Sequence, residues 1–103
     1  MTQLKPVAEV DSDLEDLIPL FLKSREEDLQ GLAEGLQEND FNRLRAIGHD
    51  MKGTGSSFGF HPVSEMGDLI ETAALAGDLA TIQAQFALFK TYMAEVEIKY
   101  VQS

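Results

Sequence analysis

The sequence predicts an all-α fold, an antiparallel up-and-down four-helix bundle with a short extra helix at its N-terminal end. Three observations carry this expectation. Apolar residues recur at spacings of three and four through most of the chain. The helical stretches are separated by short breaks, "END" at 38–40, "GFHP" at 59–62 and "AGD" at 76–78, each rich in turn-forming residues. No segment shows a sustained period of two, a hairpin turn, an internal repeat or a low-complexity tract. With 103 residues, of which 44% are hydrophobic, the chain fits one domain over residues 1–103 with one core.

Residues 1–10 carry no helical period and read as an extended lead-in. The acids of "DSDLED" then supply N-cap candidates for a helical stretch over residues 13–38, with Leu14, Ile18, Phe21, Leu29, Leu32 and Leu36 as its apolar stripe. Pro19 restricts the residue before it and removes a donor, which predicts a short first helix and a longer one beginning near it. Asp40 caps the next helix, over residues 41–58. Pro62 suits the first turn of a third, whose buried stripe is Val63, Met66, Ile70 and Ala73 and whose end falls at Gly77. Asp78 caps the last helix. Its seam, Leu79, Ile82, Phe86, Phe89, Met93, Val96 and Tyr100, alternates spacings of three and four without a miss. Packing alone accounts for all of these apolar side chains.

The composition excludes several functions. With no cysteine there is no disulfide framework and no thiolate chemistry. No apolar run approaches the roughly 20 residues needed to cross a bilayer, and the N-terminus lacks the pattern of a signal peptide. The expected setting is the cytoplasm, without a membrane partner. A net charge of −10 argues against nucleic-acid binding, which needs Lys and Arg clustered against phosphates.

Against that background the stretch "GHDMKGTGSSFGF" at 48–60 stands out. On a helical wheel Phe41, Leu44, Ile47, Met51 and Phe58 share the core side, with Gly48 and Gly55 at its edge. His49 falls about 150° from the centre of that side and points to water. Its outer-face neighbours are Arg45 at i−4, Lys52 at i+3, Gly53 at i+4 and Ser56 at i+7. A neutral imidazole nitrogen is a good nucleophile and a reversible phosphate acceptor. Arg45 and Lys52 stand where they would attract a phosphoryl group and offset its charge. Gly53 removes a side chain one turn along, so a partner can approach the ring, at about 0.5–1 kcal/mol of helix stability relative to alanine. Gly48 and Gly55 fit a close approach of another helix backbone. Taken singly, an exposed histidine, two surface cations and two turn-forming serines are ordinary helix surface; the constellation is what suggests chemistry.

The run "HDMKGTGSSFG" resembles the phosphoacceptor motif of histidine-containing phosphotransfer (HPt) domains, His-x-x-Lys-Gly followed by a glycine at the helix end. His49, Lys52, Gly53 and Gly59 fill those places, and residues 40–78 look like the same family. Gly48 stands where alanine is common, and Met51 where leucine is frequent. The resemblance implies a phosphorelay intermediate that carries phosphate on His49 and exchanges it with aspartates of response-regulator receiver domains. It implies a sensor or hybrid histidine kinase upstream, no nucleotide site, and no cofactor of its own, the assisting Mg²⁺ belonging to the receiver. A monomer is expected.

Two other functions fit the same residues. One is a helical docking or scaffold module with His49 inert; the other is the phosphoacceptor domain of a larger histidine kinase. His61 beside Pro62 reads as a loop residue, and two histidines twelve apart are not a trustworthy metal-ligand spacing. Glu65, Asp68 and Glu71 read as a solvated helix face.

Overall fold

In the computed structural model, which describes residues 4–102, helices dominate and four of them carry the core. A strand β1 (Val7–Asp11) leads through a 3₁₀ helix at Ser12–Leu17 into α1 (Ile18–Glu38). Then come α2 (Phe41–Gly55), a 3₁₀ turn at Ser56–Phe58, α3 (His61–Ala76), α4 (Leu79–Glu95) and a second strand β2 (Glu97–Val101).

The helix boundaries follow local chemistry. Pro19 sits in the first turn of α1, where its missing N–H costs nothing. The stretch before it is a six-residue 3₁₀ helix running directly into α1, in place of a separate short α-helix. Asp40 and Asp78 accept from the amides of Arg43 and Thr81 and so cap α2 and α4. Asn39 and Gly77 adopt the left-handed conformation that ends α1 and α3. His61 is the first residue of α3 and not a loop residue.

Two short strands, which the expectation lacked, accompany the helical bundle. β1 and β2 form a parallel pair with Val7 opposite Glu97 and Asp11 opposite Val101. Of the expected lead-in, residues 1–3 lie outside the described residues, while Ala8 and Val10 are buried in the core from β1. The last helix accordingly stops at Glu95. Val96 is already extended, and Tyr100 lies on β2. The cause is a degenerate spacing. Residues four apart share a face in a strand as well as in a helix, so Val96 and Tyr100 continue the seam of α4 on paper, while in space Val96 is the extended residue that ends the helix and Tyr100 lies on β2. The alternation in "EVEIKY", residues 95–100, was the signal for the strand.

The core is built from Phe21, Leu32, Leu44, Met51, Phe60, Ile70, Ile82 and Phe89, with smaller residues between them. Its closest helix pair is α2 with α3. There Gly48 and Gly67 let the backbones touch: a Cβ on Gly48 would lie 2.7 Å from the Glu71 amide nitrogen and 2.8 Å from the Gly67 carbonyl oxygen. Gly55 meets Ser64 in the same way. This contact fixes the distance between the outer face of α2 and the side chains of α3, and so positions the site.

Candidate functional site

His49 lies mid-way along α2 with 74% of its side chain exposed. Its Nδ1 is 2.7 Å from Glu71 Oε2. An ionised carboxylate only accepts hydrogen bonds, so this contact assigns the proton to Nδ1 and leaves the Nε2 lone pair directed to solvent when the ring is neutral. Glu71 reaches the ring because Gly48 and Gly67 bring α3 against α2. Its side chain is only 17% exposed.

The other oxygen of the same carboxylate faces Lys52: Oε1 lies 3.7 Å from Nζ, and Asp68 Oδ1 lies 3.1 Å from it. The hydrogen bond that Lys52 donates to Asp68, with the attraction of Asp68 and Glu71 added to it, holds the ammonium pKa above its usual 10.5. Glu71 and Asp68 are therefore partners of His49 and Lys52; Glu65 and Asp68 are exposed as a solvated face requires, and Glu71 alone is drawn in from it. A wheel shows which side of α3 they occupy, but not which helix lies across from it. Arg45 is exposed and forms no ion pair among the described residues. A side chain on Gly53 would meet nothing within 4 Å, so the surface one turn past His49 is open.

Ser56 is not brought to the imidazole. The α-helix ends at Gly55, and in the 3₁₀ turn that follows the Ser56 hydroxyl lies 3.2 Å from His61 Nδ1. Its amide donates to Ser64 Oγ at 2.7 Å, and that hydroxyl donates to the Lys52 carbonyl at 2.9 Å. These bonds tie the end of α2 to α3. Gly59, at φ 92°, closes the turn in the left-handed conformation, and a Cβ there would collide with the Glu9 carbonyl oxygen.

On the α1 side of α2 sits a residue the sequence reading passed over. Arg25 is 2% exposed. Its Nε donates to Asp28 Oδ2 at 2.7 Å, Nη1 to Thr54 Oγ1 at 2.6 Å and Nη2 to Asp50 Oδ2 at 3.1 Å, while its guanidinium stacks on Phe21. The signal was its place seven residues after Ile18 and seven before Leu32, within the apolar stripe of α1. Burial pushes the Asp28 carboxyl up to about 6 against the pull of Arg25. Leu17, Leu20, Phe21, Arg25, Thr54 and Phe58 line a cleft of about 290 Å³ on this flank.

A helical chain that presents the imidazole of His49 to water, with a carboxylate behind it and cations beside it, has the build of a histidine phosphotransfer module. The family model of the Hpt domain matches residues 16–98, and the chain belongs to that family. Hpt domains carry out histidine phosphotransfer in two-component signalling, alongside receiver domains and kinases and without a nucleotide site of their own. No curated protein and no solved structure compared with the chain matches it. Among the described residues no helix is long and apolar enough to cross a membrane.

Proposed function

We propose that the chain is a phosphorelay intermediate whose phosphoacceptor is His49 Nε2, exchanging its phosphoryl group with the aspartate of a response-regulator receiver domain. The observation that carries this reading is the 2.7 Å contact between His49 Nδ1 and Glu71 on an otherwise exposed ring. In the accepting direction Nε2 attacks the phosphorus of the receiver's aspartyl phosphate. The N–P bond forms, the P–O bond to the aspartyl oxygen breaks, and the carboxylate leaves. Nδ1 keeps its proton, so the ring becomes cationic, and Glu71 faces that charge. Return of the phosphoryl group reverses each step. Lys52 and Arg45 offset the charge of the group in transit, and the open surface at Gly53 admits the receiver. The apolar cleft on the α1 flank extends the docking surface. Mg²⁺ enters with the receiver, bound in its acidic pocket, and a sensor or hybrid kinase supplies the phosphate.

The reading takes residues 1–103 as one cytoplasmic domain, its helices in antiparallel up-and-down order. The two-residue connections at 39–40 and 77–78 support that order. The test is phosphate uptake from a phosphorylated receiver or a histidine kinase. Wild type gains acid-labile phosphate and His49→Gln gains none. Uptake by the variant, or an inert wild type across a panel of receivers and kinases, overturns the assignment.

A further inference from the structure

Lys52 is not free in the unphosphorylated domain. It stands at i+3 from His49, yet its ammonium is hydrogen-bonded to Asp68 at 3.1 Å and lies 3.7 Å from Glu71, on the Nδ1 side of the ring. Glu71 has a second occupation, since its other oxygen holds His49. Asp68 has no hydrogen-bonding partner but Lys52 among the described residues, and more than half of its side chain is exposed. It fills no core space, and a surface ion pair of this kind adds little to stability.

We propose that Asp68 is a positioning residue that holds Lys52 away from Nε2 and thereby sets how tightly the domain keeps a phosphoryl group. The inference rests on His49 being the phosphoacceptor. Once the N–P bond has formed, the phosphoryl oxygens bring about two negative charges to the face of the ring where Nε2 points. Lys52 is then shared between that group and the carboxylate of Asp68. Every interaction Asp68 keeps is one the phosphohistidine loses, so the phosphorylated state is less stable than the same site without Asp68. A carrier that must give phosphate away gains from this. Without the competitor, Lys52 closes on the phosphoryl group and the domain drifts from carrier towards sink. The i, i+3 placement of Asp68 and Glu71 on α3 divides the work: Glu71 fixes the ring and Asp68 fixes the cation.

The experiment uses five proteins: wild type, Asp68→Asn, Asp68→Glu, Lys52→Met and the double variant Asp68→Asn with Lys52→Met. Each is loaded chemically with phosphoramidate, which needs no partner, and the lifetime of the phosphohistidine is followed. Each is also brought to equilibrium with a phosphorylated receiver domain. Asp68→Asn should shift the equilibrium towards phosphohistidine and lengthen its lifetime by roughly threefold, the scale of one exposed charge interaction. Asp68→Glu should restore wild-type behaviour. In the Lys52→Met background the Asp68 substitution should change neither quantity, because the effect runs through the ammonium. No shift in Asp68→Asn overturns the proposal. So does an equal shift with and without Lys52, which would mean that Asp68 acts on the phosphoryl group directly. A wild type that takes no phosphate at His49 defeats the functional reading itself, a result distinct from a wild type that turns over while Asp68→Asn behaves identically.

Discussion

In the proposed phosphotransfer, Glu71 is the residue on which His49 depends. Without an acceptor at Nδ1 the ring is free to rotate and to place its proton on either nitrogen, and the attacking lone pair is no longer held in one direction. Glu71→Ala is therefore expected to slow phosphotransfer roughly tenfold, the equivalent of one charge-assisted hydrogen bond of about 1.5 kcal/mol. The fold should stay intact, and the imidazole ¹⁵N shifts should show the second tautomer appearing. An unchanged rate with unchanged tautomer populations would remove Glu71 from the mechanism. The contrast with His49 shows what a sequence conveys at this scale. His49, Lys52 and Gly53 lie within two helical turns of one another, so a single wheel arranges them correctly. Glu71 lies 22 residues from His49, and only the packing of α3 on α2 joins them. Ser56, two turns beyond His49, is engaged instead with His61 and Ser64 on α3, partners that a wheel of α2 does not show.

At the scale of the element, the pairing of α2 with α3 depends on glycines whose demands differ. A methyl group on Gly48 would press on backbone atoms of Glu71 and Gly67, which cannot swing aside as a side chain can. Gly48→Ala should cost about 1–3 kcal/mol of strain, more than the roughly 1 kcal/mol of helix propensity it gains. It should also impair transfer, since the displaced backbone carries Glu71. Gly53→Ala meets nothing and should stabilise α2 by about 0.5–1 kcal/mol. Urea unfolding of the two variants checks both signs; a stable Gly48→Ala or a weakened Gly53→Ala would contradict the packing. The difference was readable in outline, because the wheel puts Gly48 and Gly55 on the core side and Gly53 on the outer side. The strands were not so readable. β1 and β2 draw on opposite ends of the chain, and neither "VAEVD" nor "EIKYV" is long enough to declare itself without its partner.

For the whole molecule, Arg25 and its acids join α1 to the helix that carries His49. Arg25 bonds Asp28 on its own helix, and Asp50 and Thr54 on α2, in the turns that flank and follow the imidazole. The interior distorts the balance of this cluster. Burial raises the Asp28 carboxyl from 3.8 to about 6, because loss of hydration outweighs the attraction of Arg25. A raised folded-state pKa means that the native protein binds this proton more tightly than the unfolded chain does. The contribution to stability is then full below pH 3.8, falls as pH rises through about 6, and is gone above that. Asp28→Asn cannot titrate at this position, so the stability of wild type minus that of the variant isolates the effect from the general repulsion of a chain carrying −10. That difference should decline by on the order of 1–2 kcal/mol between pH 4 and pH 7, after allowance for the water that still reaches the carboxylate, and should level off near neutrality. Denaturant unfolding at half-unit steps of pH resolves it. A flat difference, or one that grows with pH as for an exposed carboxylate stabilised by its arginine, would show that attraction and not desolvation governs the link between α1 and α2.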